Sequence, residues 1–231
     1  MVYLLEWRWI YGMYIKKRKL KIKEPINAMT HFIAFLAVIP ISFIFLIKSN
    51  EKMSILYSIS FFIFGISLLL LYGASTIYHA LDTSKRTTKL LRRIDHMMIF
   101  ILIAGTYTPV CLIPLYEKGG MVLLTGVWIF AVVGILSKIF WLTAPRWLST
   151  LLYIIMGWLV MIVFVPLKNA IPISGIIFLL SGGIVYTVGA IIYALKPPKL
   201  NFKLFGFHEI FHLFVILGSV LHIIFMFKYI L

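Results

Sequence analysis

His208, Glu209, Ile210, Phe211 and His212 open the last apolar stretch of a 231-residue chain. Two histidines four residues apart on a helix bring both imidazoles to one face, where they can share a metal ion. Tetrahedral zinc needs more ligands than two, so a third must come from elsewhere. The candidate is His79, which ends another apolar stretch one helical turn after Ser75. Three histidine nitrogens on zinc leave a position for water, whose pKa the ion lowers to about 7, and the ion can polarise a carbonyl oxygen. Asp95 and Ser75 are the candidate catalytic partners, placed to orient or deprotonate that water. Asp95 is expected to open the third helix, where the positive end of the dipole suits a carboxylate. Each residue also has a plainer reading. His208 and His212 can contact headgroups at the interface, Asp95 can be an ordinary helix-start aspartate, and Ser75 can bond back to its own helix.

His208-Glu209-x-x-His212 has the pattern of soluble zinc proteases, in which the glutamate is the general base. Those motifs lie in water-filled clefts, whereas this one runs directly into Leu213, Phe214 and Val215. Glu209 is therefore expected at the interface or behind the ligands. Glu24, Asn27 and His31 occupy successive turns of the first span and form a polar edge entering the membrane. On that edge His31 is expected to be hydrogen-bonded structure or a support for the ligands. His96 is expected to face away from Asp95, and His222 to form an interhelical hydrogen bond. Cys111, the single cysteine, lies in an apolar run and reads as packing. Phe61, Phe62 and Phe64 read as core or lipid-facing side chains.

The elements that must position these residues follow from composition. With 62% hydrophobic residues and a mean hydropathy of +1.05, the chain cannot be an ordinary soluble globule. About 20 apolar residues cross a hydrocarbon core of about 30 Å, and seven stretches meet that length: 27–48, 54–79, 94–115, 121–142, 147–166, 171–195 and 206–228. The expected fold is an all-α bundle of seven transmembrane helices, making a multi-pass protein of the cell membrane. Residues 24–231 form the membrane domain. Residues 1–23, with Trp7, Trp9, Tyr11 and Tyr14 among seven basic side chains, suit the headgroup layer. The apolar run that follows is long enough to span, so no cleaved signal is expected. Pro25, Pro145, Pro172, Pro197 and Pro198 mark loops or first turns, and Pro40, Pro109 and Pro114 are expected to kink their spans. Short turns make consecutive helices antiparallel neighbours.

The formal charge of +15 sits in short blocks beside the spans. There it reads as a topology signal and as contact with anionic lipid headgroups, with no nucleic-acid partner. A cytoplasmic N-terminus gathers seventeen of the 22 basic residues on one side, leaving Lys48, Lys52, Lys118, Lys168 and Lys228 on the other. The N-terminus is therefore expected in the cytoplasm and the C-terminus outside it. A reporter fused after Leu231 should label outside and one inserted near Lys85 inside; the opposite pattern would reverse the assignment. This topology brings His31, His79, His96, His208 and His212, five of six histidines, to the cytoplasmic face. Ionisable groups at membrane depth are costly and usually line a bundle interior or a wet cavity.

Glu24, Asn27 and His31, then Ser75-x-x-x-His79 with Asp95 beyond a basic loop, then His208-x-x-x-His212, resemble the three motifs of the hemolysin III proteins and the progestin and adipoQ receptors. The resemblance covers Glu24 to the C-terminus. It implies seven helices, a cytoplasmic N-terminus and zinc held by His79, His208 and His212. The family is also similar to the alkaline ceramidases, zinc hydrolases of lipid amides, which extends a hydrolase role to Ser75 and Asp95. The receptor branch commonly has Gln where this chain has Glu209, so the chain looks more like the hemolysin III branch, whose name implies cytolysis. The leading expectation is a zinc-dependent hydrolase of a lipid amide or ester. The alternatives are a membrane-perturbing hemolysin or a lipid-responsive sensor in which zinc is structural.

Overall fold

The computed structural model describes residues 22–141, 144–197 and 206–231. The interfacial segment expected over 1–23 falls outside them, except for Ile22 and Lys23, as do Pro198, Lys199 and Lys203. Seven helices are long and apolar enough to cross a membrane: α1 Pro25–Asn50, α2 Ile55–Ala80, α3 Lys85–Leu112, α4 Tyr116–Phe140, α5 Arg146–Ala170, α6 Ile173–Leu195 and α7 Phe207–Ile230. The described residues contain no strand.

Consecutive helices pack against one another, and α1 against α7 closes the ring, with α3 touching α2, α4 and α5. Phe45, Phe61 and Phe64 are fully buried between α1 and α2, while Phe62 is 55% exposed on the outer face. Cys111 is buried in the same apolar core. Lipid provides no hydrophobic drive between helices, so contact depends on small residues that let neighbours approach. A Cβ on Gly105 of α3 would lie 2.3 Å from Ser67 Oγ of α2, and one on Gly134 of α4 would lie 2.3 Å from the Phe100 ring of α3.

Two elements differ from the apolar pattern. Helix α3 starts at Lys85 rather than near residue 94, because Ser84 caps it by accepting from the Thr87 N–H at 3.2 Å. Its first turns are basic and project beyond the hydrocarbon, so a hydrophobicity ruler misses them. Asp95 consequently sits ten residues inside the helix, too far from its N-terminus for the dipole to hold its charge. Helix α5 tightens into a 3₁₀ turn over Leu159–Val163. The polar groups this frees cannot be left to lipid. Tyr107 of α3 satisfies them, donating to the Met156 and Gly157 carbonyls at 3.0 and 2.7 Å and accepting from the Val160 N–H at 2.8 Å.

Candidate metal centre

The site begins with a tie between the start of α1 and the end of α2. The Glu24 N–H donates to the His79 carbonyl at 2.9 Å and the Lys23 N–H to the Ala80 carbonyl at 3.3 Å. Pro25 at the first helical position then launches α1 without losing a donor. The tie sets the Glu24 carboxylate beside the His79 ring, whose Nδ1 donates to Oε2 at 2.5 Å. Lys23 supports the same carboxylate from 3.3 Å, and its ammonium lies 3.9 Å from the centre of the Tyr78 ring. The His79 hydrogen bond, opposed by burial and aided by the Lys23 ammonium, holds the Glu24 carboxyl down at about 2. Because this folded value lies below the ordinary 4.5, the contact stabilises the fold fully above pH 4.5 and loses its effect as pH falls toward 2.

With Nδ1 carrying the proton, His79 Nε2 is left as a lone pair, and it lies 3.4 Å from His208 Nε2. One ligand atom from each of His79, His208 and His212 falls within 4.8 Å of the others. Two nitrogens each about 2.05 Å from a tetrahedral zinc stand roughly 3.3 Å apart, so the His79 and His208 nitrogens have a ligand-pair separation. His212 Nδ1 is buried with no protein partner among the described residues. Three neutral imidazoles, one already oriented by a carboxylate, fit a divalent metal ion of zinc's type.

Glu209 turns away from this cluster. Its Oε2 accepts from the Gly206 N–H at 2.8 Å, closing the first turn of α7, and its Oε1 accepts from Asn27 Nδ2 at 2.8 Å. Asn27 Nδ2 also lies 3.4 Å from Glu24 Oε2, so a polar chain runs from Gly206 through Glu209, Asn27 and Glu24 to His79. That chain joins α1, α2 and α7 behind the ligands.

A cavity of about 170 Å³ opens in front of them, walled by all seven helices. Ser75, Asp95, His208, His212 and His31 form its polar end. His79, 1% exposed, lies behind that wall. The remainder is apolar, including Leu71, Ile99, Ile103 and Val215, and it continues along α7 as far as His222. At 1.5 Å per residue, the fourteen residues from His208 to His222 span about 21 Å, so the cavity is elongated along the bundle.

Three sequence expectations change here. His31 is not held by hydrogen bonds: neither ring nitrogen has a protein partner among the described residues. It stacks on His212 with centroids 3.7 Å apart and faces the cavity. His96 does not face away from Asp95, because its Nδ1 lies 3.4 Å from Asp95 Oδ2. His222 bonds within its own helix, Nδ1 donating to the Gly218 carbonyl at 2.8 Å, rather than across helices. Its ring fits against α6 because Gly182 has no side chain there. The residue that sequence reasoning undervalued is Glu24. An acidic side chain immediately ahead of the first span was the available signal, but its partner became apparent only once α1 and α2 were joined.

Seven membrane-length helices around a buried cluster of three histidines define a polytopic membrane protein with a metal-binding capacity at one end. The Haemolysin-III related family matches residues 20–223, and the chain belongs to that family. The Hemolysin-3 homolog of Bacillus subtilis (strain 168) is 44% identical over 199 residues, covering 86% of this chain and 90% of that protein. Hemolysin-3 of Bacillus cereus is 40% identical over 199 residues, covering 86% of this chain and 88% of that protein. The Adiponectin receptor protein of Drosophila melanogaster is 23% identical over 233 residues, covering 85% of this chain but 48% of that protein. The chain is a multi-pass protein of the cell membrane.

Proposed function

We propose that this protein is a zinc-dependent hydrolase of a membrane lipid, cleaving an amide or ester at the cytoplasmic end of the bundle. The observation that carries the reading is the juxtaposition of the three-histidine cluster, Asp95 and Ser75 at the polar end of an elongated apolar cavity. His79, His208 and His212 hold the zinc, which when bound supplies an acidified water and a Lewis acid for a carbonyl. Asp95 takes the proton that the attacking water loses and returns it to the departing nitrogen or oxygen as the acyl bond breaks. The Ser75 hydroxyl donates to an oxygen of the reacting group. The apolar walls receive the acyl chain, and a lipid can reach them laterally from the bilayer. Glu24 fixes the tautomer of His79, and Glu209 secures Asn27 and the start of α7.

The decisive experiment measures zinc-dependent fatty-acid release from amide- and ester-linked lipids by purified protein, with Asp95→Ala as control. Release that depends on both zinc and Asp95 supports the hydrolase; no release from any lipid class favours a non-enzymatic role. The name Hemolysin-3 carried by two relatives supports one such role, membrane lysis with zinc as a staple between α2 and α7. Under either reading Glu24→Ala should weaken zinc binding by roughly 10- to 100-fold, the usual effect of removing a ligand's orienting partner. Chelator competition on the folded variant measures this, and unchanged affinity would remove Glu24 from the site.

A further inference from the structure

The mouth of the cavity carries a charge pattern that the hydrolytic chemistry does not use. Arg92 of α3, Lys138 of α4 and Arg146 of α5 line the same cavity wall. Lys138 is only 4% exposed, and its ammonium donates to Ser149 Oγ. Among the described residues no carboxylate lies within ion-pair distance of any of the three. Asp95, the acidic residue on that wall, has His96 beside it. The Arg146 guanidinium lies 5.4 Å from the centre of the Tyr193 ring and 5.8 Å from that of Phe207, held by aromatic faces rather than by an anion.

A buried ammonium without a counter-charge is costly, and the cost is largest at membrane depth. The C-terminal turn of α4 offsets part of it for Lys138. Arg92 and Arg146 are solvent-exposed near the ends of α3 and α5, yet they line the same cavity as the buried ammonium.

We infer that Arg92, Lys138 and Arg146 form a headgroup subsite for a phosphate-bearing, single-chain acyl lipid whose chain occupies the apolar cavity. A phosphate offers several acceptor oxygens, enough for two guanidinium forks and an ammonium at once. Asp95 lies three residues beyond Arg92 on α3, a rise of about 4.5 Å. The bond to be broken therefore lies within a few atoms of the phosphate. The lipid nature of the ligand rests on the function proposed above; the preference for an anion rests on the three cations alone.

Binding without turnover provides the test. Purified protein in phosphatidylcholine nanodiscs is titrated with oleoyl lysophosphatidic acid, with monooleoylglycerol, which has the same chain and no phosphate, and with inorganic phosphate. The phosphate-bearing lipid should bind at least about tenfold more tightly than monooleoylglycerol, the difference expected from a charge-assisted contact. The preference should collapse in Lys138→Gln with Arg146→Gln, while affinity for monooleoylglycerol stays unchanged. Lys138→Met, which removes the charge without burying a new polar group, guards against misfolding and should act in the same direction. Lys85→Gln, outside the cavity, should leave the preference intact. Equal binding of the two lipids by the native chain overturns the subsite, as does a preference that survives the paired substitution or falls equally in Lys85→Gln. Competition by inorganic phosphate at lipid-like concentrations overturns the lipid assignment. A lipid preference without hydrolysis would retain the subsite and reject the enzyme, and hydrolysis without the preference would do the reverse.

Discussion

Protein purified without chelators is expected to hold about one zinc per chain, and to hold none once His79, His208 and His212 are all replaced by alanine. The separations among the three histidines support this outcome, as does the Glu24 hydrogen bond that leaves a lone pair on His79 Nε2. Elemental analysis decides it, and metal persisting in the triple variant refutes the assignment. A single His79→Ala substitution addresses a second question. If the ion mainly joins α2 to α7, losing this ligand should lower the melting temperature. For a chain of this size each kcal/mol lost corresponds to about 2 to 4 °C.

Asp95→Asn should reduce lipid turnover roughly 10²-fold or more while zinc content and melting temperature change little. An amide keeps the shape of the carboxylate and can still accept hydrogen bonds, but it cannot take a proton from water. The neighbouring His96 makes the near-isosteric exchange mild for the fold, since its Nδ1 also has the Arg92 carbonyl at 2.8 Å. Asp95→Asn must be compared with His79→Ala, because unfolding also abolishes turnover. A stable, zinc-loaded Asp95→Asn protein with undiminished turnover would remove Asp95 from the mechanism, and undiminished lysis would point to the structural role of zinc.

The spans and the meeting of His79 with His208 and His212 were legible in the sequence for local reasons. Apolar length identifies a span without knowledge of its neighbours, and four-residue spacing places two rings on one helix face. Alternation of antiparallel spans then brings the start of α1, the end of α2 and the starts of α3 and α7 to one side. What depended on other segments was not legible. Glu24 meets His79 only because the backbone joins α1 to α2, and the 3₁₀ turn of α5 depends on a tyrosine fifty residues upstream of Gly157. The start of α3 was misplaced because Lys85 to Arg93 are too polar for a hydrophobicity ruler, although Ser84 is a good capping residue. His31 looked like a structural histidine in sequence, and only its stack on His212 brings it to the cavity.

The backbone tie between Glu24 and His79 also bears on the order of events during synthesis. His79 and Glu24 are made early and are held together within the first two spans, whereas His208 follows His79 by 129 residues. At about 5 to 20 residues per second, the first half of the site waits roughly 6 to 26 s on the ribosome before the second half exists. If the three histidines take a metal, ligation is thus among the last steps of biogenesis. A nascent chain lacking its final span carries an oriented but solitary imidazole, so metal held at the proposed three-histidine site would report that the protein has been translated and inserted through its last helix.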